Sequence, residues 1–214
     1  MSGVGGELLG NNVFIYCFNN PVNMSDSSGY WPQWINNSVR AVAGFVTKVK
    51  AVLSIPTTIV KIAVASTVAV ASGQATVGDI VNDAKNYDFF NTDETKVLVS
   101  EVFSSYNGTP VLRHDVVGGS MSVFNTIFLS KGDTVDTGGA ETIRHEWGHT
   151  VQQSLMGTPK FLIRIAIPSL IGASLYVDDY YSQPWERSAD FFGGATHTYS
   201  EDSGFWAWLY FLMP

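Results

Sequence analysis

The sequence predicts an α+β fold, mainly helical, with a small antiparallel sheet or hairpin beside one central helix. Three observations predict it. Apolar residues Ile35, Val39, Val42, Val46, Val49 and Leu53 recur at alternating steps of four and three, one face of a long helix. Two β-prone runs, "VLRHDVV" and "MSVFNTIFL", flank the turn-forming "GGS" at Gly118–Ser120. Downstream, "TIRHEWGHTVQQ" (Thr142–Gln153) carries two histidines at helical spacing before Gly157 and Pro159 end the pattern.

Taken in order, Asn11 to Tyr30 is rich in Asn, Ser, Gly and Pro and reads as a short strand followed by turns. The first helix is expected from about Ser38 to Ser54, stopped by Pro56, and a second from Thr58 to Ser72. Both stripes are expected to pack into a core. Thr76 to Asn86 reads as a short helix, and Thr92 to Ser105 as another, with Thr92 or Asp93 as its N-cap. "NGTP" (Asn107–Pro110) is a turn, and the two β-prone runs should pair as a hairpin across "GGS". A loop, "KGDTVDTGG", leads into the central helix from about Ala140 to Leu155. Phe161 to Val177 reads as a further helix, "DDYYSQPW" as a loop, and Pro184 suits the first turn of a last helix through about Phe192. The aromatic tail "GFWAWLYFLMP" is expected to pack on the body. The chain is thus expected to divide into residues 1–30, a helical linker or subdomain at 31–106, and a body at 107–214.

Composition narrows the function. Hydrophobic residues make up 45% of the 214, with thirteen Phe and six Trp, enough for a sizeable core. The net charge of −7 argues against a phosphate-backbone partner, so no nucleic acid is expected. Cys17 is the only cysteine, so a metal would have to be held by His and carboxylate. The first residues lack a basic start and a long apolar run and do not read as a signal peptide. Two runs, Ile62–Gly78 and Phe161–Val177, are short and interrupted for a bilayer core and read as buried helices; membrane contact is the less favoured reading.

On a helix, positions i and i+4 share a face, so His145 and His149 can point both imidazoles at one ion, each nitrogen about 2.0–2.1 Å from zinc. Glu146 sits about 100° round the helix and can reach a water on that ion without binding it. Zinc acidifies such a water and the carboxylate takes the proton, the chemistry of an H-E-x-x-H helix. Gly148 in mid-helix costs about 1 kcal/mol relative to Ala and points to another backbone packed close. A third ligand is needed. Gln152 and Leu155 exclude an H-E-x-x-H-x-x-G-x-x-H continuation. Glu186, in the first turns of the last helix, is the favoured third ligand, with Asp190 one turn on to orient a ligand histidine. An exposed acidic face beside Arg187 is the plain alternative for that pair, and His197 and Asp178 or Asp179 are rival ligands.

His145, Glu146, His149 and the later E-x-x-x-D of Glu186 and Asp190 resemble the gluzincin group of zinc metallopeptidases, the thermolysin-like clan, with Trp185 where thermolysin itself has Asn. "RHEWGHTVQQ" is similar to the HExxH peptidase domains of bacterial polymorphic toxins. The resemblance covers roughly Val111 to Gly194. It implies a Zn2+ hydrolase, an edge strand ("VFNTIFL") that pairs with an extended peptide, and a Tyr or His donor for the oxyanion. Tyr181 and His197, with Tyr180, are the candidates for that catalytic donor. "NNVFIYCFNNPVNMSDSSGYWP" also resembles the end of an RHS (YD-repeat) core, matching at Tyr16, Asn19, Asn20, Pro21, Val22, Asn23, Asp26 and Gly29. That resemblance implies a C-terminal toxin fragment, secreted or delivered into a target cell. Its implied partners are a protein substrate, the RHS shell of the parent polypeptide and a cognate immunity protein. Two other classes stay open: a membrane-inserting fragment with a structural metal site, and a non-catalytic zinc-binding module.

Overall fold

The computed structural model describes residues 33–116, 119–174 and 180–197. The chain falls into two units, Met1–Arg40 and Ala41–Pro214. The strand-and-turn expectation for Asn11–Tyr30, Cys17, Asp178, Asp179 and the aromatic tail all lie outside the described residues. In the first unit the described part is the start of helix α1 (Gln33–Leu53), where Ser38 Oγ donates to the Trp34 carbonyl at 2.8 Å.

The fold is α+β, mostly helical with one four-stranded sheet. In chain order the second unit holds the rest of α1, then α2 (Ile55–Ala71), α3 (Val77–Asn86) and α4 (Glu94–Leu98). Strands β1 (Phe103–Tyr106), β2 (Thr109–His114), β3 (Met121–Val123) and β4 (Thr126–Ser130) follow. Helix α5 (Gly139–Met156) leads to α6 (Thr158–Phe161), a π-helical turn (Leu162–Ala166) and α7 (Ile167–Ser174). A 3₁₀ turn, Tyr180–Ser182, precedes α8 (Pro184–Gly193).

The sheet departs from the expected antiparallel hairpin. Its order is β1-β2-β4-β3, and β2 and β4 run parallel, Val111 opposite Ile127. "MSVFNTIFL" is not one strand but a hairpin of its own, turned at Phe124 and Asn125, both at positive φ (54° and 51°). Two successive positive φ values make the tight turn that matches strand twist. Phe is a strained choice there, and the turn is pinned from both sides. Lys61 Nζ donates to the Phe124 carbonyl at 2.6 Å, and Gln153 Oε1 accepts from the Asn125 amide at 2.9 Å. The β1–β2 turn at Asn107–Gly108 has the same geometry with the residues that best suit it. Because this hairpin spans residue 107, the boundary expected there falls inside the sheet.

The sheet is packed on both faces. Leu112 and Phe128 join Ala69, Val102 and Phe103 in a cluster with α2 and α3. Val111, Ile127 and Leu129, fully buried, belong to the other face, where Thr109 meets Thr150 of α5. This alternation follows from the two-residue period of strands.

Three helix expectations change. The helix expected over Thr92–Ser105 ends at Leu98, capped as expected by Asp93, whose side chain accepts from the Thr95 amide. The buried Asp83 carboxylate takes the Val102 and Phe103 amides (2.7 and 3.0 Å), drawing the chain out into β1. On α1 the buried face is Ala43, Thr47 and Ala51, with Gly44, not the valine stripe; Val42 is 64% and Leu53 78% exposed. Small residues win because a Cβ at Gly44 would already touch the Trp147 ring at 3.4 Å. Helices α2 and α7 are likewise not buried: α2 buries only Thr58 and Ala69, and α7 buries nothing. Among the described residues no single helix is long and apolar enough to cross a membrane; the bent pair Trp34–Leu53 and Ile55–Ala71 passes by length and composition together.

Candidate metal centre

Helix α5 is buried along most of its length, His145, Glu146, His149 and Gln152 included. Helix α8 crosses it at two glycines. A Cβ on Gly148 would lie 1.9 Å from the Ala189 carbonyl oxygen, and one on Gly193 would lie 1.9 Å from that of Arg144. The close backbone approach expected from Gly148 is therefore that of α8, and it presents Glu186 and Asp190 to the two histidines.

Glu186 Oε2 lies 3.0 Å from His145 Nε2 and 3.2 Å from His149 Nε2. All three side chains are buried. On the far side of each ring, His145 Nδ1 is 2.6 Å from Asp190 Oδ1 and His149 Nδ1 is 2.7 Å from Gln152 Oε1. Gln152 is itself fixed, its Nε2 donating to the Trp185 carbonyl and to Ser188 Oγ. A carboxylate and an amide oxygen can only accept, so both Nδ1 atoms carry hydrogen. In neutral imidazoles both Nε2 lone pairs then face the Glu186 oxygen. Three acceptors meeting in a buried site call for a proton or a metal cation among them.

The electrostatics agree. Burial pulls the His145 pKa down, but the hydrogen bonds to Asp190 and Glu186 and the charges of Glu146 and Glu186 outweigh it and push it up to about 10. Burial works to raise the Glu186 pKa, yet the adjoining charge of His149 and the hydrogen bonds of both histidines hold it far below the carboxylate range. The same charge balance that favours a proton here would favour a metal cation.

The geometry fits a metal. Tetrahedral ligands on bonds of about 2.0–2.1 Å sit about 3.3 Å apart, close to the observed 3.0 and 3.2 Å. Glu186 Oε1 and Glu146 Oε2 are buried with no hydrogen-bond partner, one beside the triad and one facing the cleft. Buried His145, His149 and Glu186 can hold a metal ion. A second set, His145, Asp190 and His197, shares its first member. Its 2.6 Å contact is a hydrogen bond, too short for two ligands of one ion.

No protein-family model, curated protein or solved structure matches this chain.

Around the triad a cleft of about 540 Å³ opens between β3 and the α6–α7 segment. Burial raises the Glu146 pKa, as does Glu186, against the opposing charges of the two histidines. Its backbone carbonyl accepts from Ser122 Oγ at 2.7 Å, tying α5 to the edge strand. That edge strand is β3, not the longer "VFNTIFL". His197 lies outside the triad: its Nδ1 is 3.0 Å from both Asp190 oxygens, and its ring stacks on Tyr181 at 4.1 Å. Tyr181 is exposed and edge-on to His145 at 5.7 Å. Tyr180 bonds Ser169 Oγ at 2.5 Å. Burial, then the charge of Glu186, raises both tyrosine pKa values, so both remain hydroxyl donors at neutral pH.

Sequence reasoning missed Gln152 as the partner of His149 and Ser122 as the anchor of Glu146. Gln152 stands three residues after His149 on one helix, a spacing that brings side chains together and was readable. Ser122 had no such signal, because only the sheet brings it to α5.

Proposed function

We propose that this chain is a zinc-dependent endopeptidase of gluzincin type, deployed as the C-terminal toxin of an RHS polymorphic protein. The observation that carries the metal and hydrolytic part is the convergence of two Nδ1-protonated histidines on one Glu186 oxygen, with Glu146 Oε2, buried and without a hydrogen-bond partner, beside them. A zinc ion held there would supply Lewis acidity and acidify water. The chain's own residues do the rest. Asp190 and Gln152 hold the two rings in one tautomer and orientation. Glu146 takes a proton at Oε2 from the attacking water, whose hydroxyl goes to the peptide carbonyl carbon, and returns it to the leaving amine. Tyr181 and His197 flank the cleft as candidate donors to the carbonyl oxygen, and Phe161 and Ile165 form an apolar part of its wall. The toxin role, delivery into a target cell and an immunity partner rest on the RHS resemblance of residues 11–32.

Substitution Glu146→Gln is expected to leave one equivalent of zinc bound and abolish both proteolysis and growth inhibition. Glu186→Ala is expected to lose the zinc. Toxicity undiminished in Glu146→Gln would sink the peptidase reading. One observation favours a second reading, membrane insertion: the bent, largely exposed α1–α2 pair. Liposome leakage that persists in Glu146→Gln would support it.

A further inference from the structure

The segment after α8 carries His197 to the cleft without help from a helix or strand. Helix α8 ends at Gly194 in the left-handed conformation, its amide capping back to the Asp190 carbonyl at 2.7 Å. Two residues on, the Thr196 amide donates to Glu141 Oε2 at 2.7 Å. The other oxygen of Glu141 is 2.6 Å from Arg144 Nη1. Arg144 Nε reaches Glu94 Oε1 at 3.0 Å, and the Tyr106 hydroxyl donates to the same oxygen at 2.7 Å. The series runs from β1 through α4 and α5 to the backbone beside His197.

We infer that this series, Tyr106–Glu94–Arg144–Glu141, is a strut that fixes the Thr196 backbone and so holds the His197 ring over the cleft, making Glu141 a positioning residue. The inference deepens the peptidase reading and rests on it for its catalytic consequence. Several features distinguish a strut from an ordinary surface ion pair, which contributes little. Glu94, Arg144 and Glu141 are each at most 36% exposed, and Arg144 bridges two carboxylates at once. Burial works to raise the Glu94 pKa, but the hydrogen bonds from Tyr106 and Arg144 outweigh it and hold it below the usual value. The Arg144 carbonyl is also the atom against which Gly193 packs, so the same residue sets the end of α8. His197 needs an anchor of this kind. Its ring contacts, the Tyr181 stack, Asp190 and the edge of His145, orient the ring, and the Thr196 bond fixes the backbone beside it.

The test uses the zinc-loaded full chain labelled uniformly with 15N, so that both the Thr196 amide and the histidine rings are read. In Glu141→Ala the Thr196 amide should exchange at least about tenfold faster, because its closing hydrogen bond is gone. The His197 ring signal should shift while the His145 and His149 signals and zinc stoichiometry stay. Glu141→Gln keeps one acceptor for the Thr196 amide but turns its NH2 against Arg144, so it should slow the Thr196 exchange only part of the way back to wild type. With casein as probe, Glu141→Ala should lower kcat about tenfold at unchanged KM, the penalty of a misplaced group. If Glu141→Ala does not fold, Glu141→Asp keeps the charge but draws the carboxylate one methylene back from the Thr196 amide, and should show the same His197 change. Unchanged Thr196 exchange and His197 signal in Glu141→Ala would overturn the inference. So would loss of zinc with all histidine signals moving together, which would make Glu141 a general scaffold residue. Failure of the wild type to cleave casein would count against the peptidase reading alone, since amide exchange and the histidine signals test the strut without any substrate.

Discussion

Two ring nitrogens decide the chemistry of this site. Asp190 and Gln152 each accept at an Nδ1, and that alone turns both Nε2 lone pairs toward Glu186. The pair is asymmetric: His145 leans on a charged carboxylate, His149 on a neutral amide whose own hydrogens are committed to Trp185 and Ser188. Gln152→Leu should therefore free the His149 ring and weaken zinc about 10- to 100-fold, read by competition titration against a chelator dye. Unaltered affinity would mean that packing, and not the amide, orients the ring. Of these groups the HExxH residues were legible directly, since helix geometry alone sets their spacing. Glu186 was legible only as the favoured one of several acids. Nothing in its neighbours separates a ligand from a solvated carboxylate until α8 is placed.

At the scale of elements, the centre exists because two helices approach to backbone contact. Gly148 and Gly193 are reciprocal notches, each receiving a carbonyl of the other helix. Gly148→Ala would put a methyl group 1.9 Å from the Ala189 oxygen, where no flexible side chain can yield. Despite the better helix propensity of Ala, worth about 1 kcal/mol, overpacking should dominate and destabilise by about 1–3 kcal/mol or more. Zinc affinity should fall with it, as Glu186 and Asp190 recede. Denaturant melts and zinc titration of the variant check both, and a stabilised, fully metallated Gly148→Ala would refute the crossing. The α6–α7 segment shows why another boundary was hard to read. Pro168 lacks an amide and crowds the preceding turn, and the π-helical turn at Leu162–Ala166 absorbs it without ending the helix. Helix α1 ends at Leu53, just ahead of Pro56 as expected, and Pro56 also sits in the first turn of α2, which starts at Ile55 rather than at Thr58.

For the whole molecule, a metal on His145, His149 and Glu186 is a cross-link between α5 and α8, so binding is linked to stability. If the cluster holds zinc, as proposed, the ion at a hundredfold excess over its Kd would contribute about 2.7 kcal/mol, and a chain of this size should melt about 5–10 °C lower once the metal is chelated. Calorimetry with and without chelator measures the shift, which Glu186→Ala should abolish; a Tm indifferent to chelation would dissociate the triad from metal. The outward faces of α1, α2 and α7 remain apolar, with Phe45 68% and Leu170 62% exposed. On α2 the lone charge, Lys61, turns inward to the Phe124 carbonyl and Thr126. Helical periodicity correctly marked these segments as helices and wrongly implied that their large aliphatic face is the buried one.

By itself the sequence determined what short-range geometry controls: the helical segments, the shared face of His145 and His149, the place of Glu146, and the demand for a close neighbour at Gly148. The tertiary structure alone decided which acid completes the cluster, that Ser122 anchors the Glu146 backbone, that the sheet is mixed, and which side of α1 faces inward. The difference is physical. Spacing along a helix is set by a repeat of about 3.6 residues and needs no partner. Convergence across 37 residues, from His149 to Glu186, depends on two backbones meeting at glycines, and no local pattern encodes where two backbones meet.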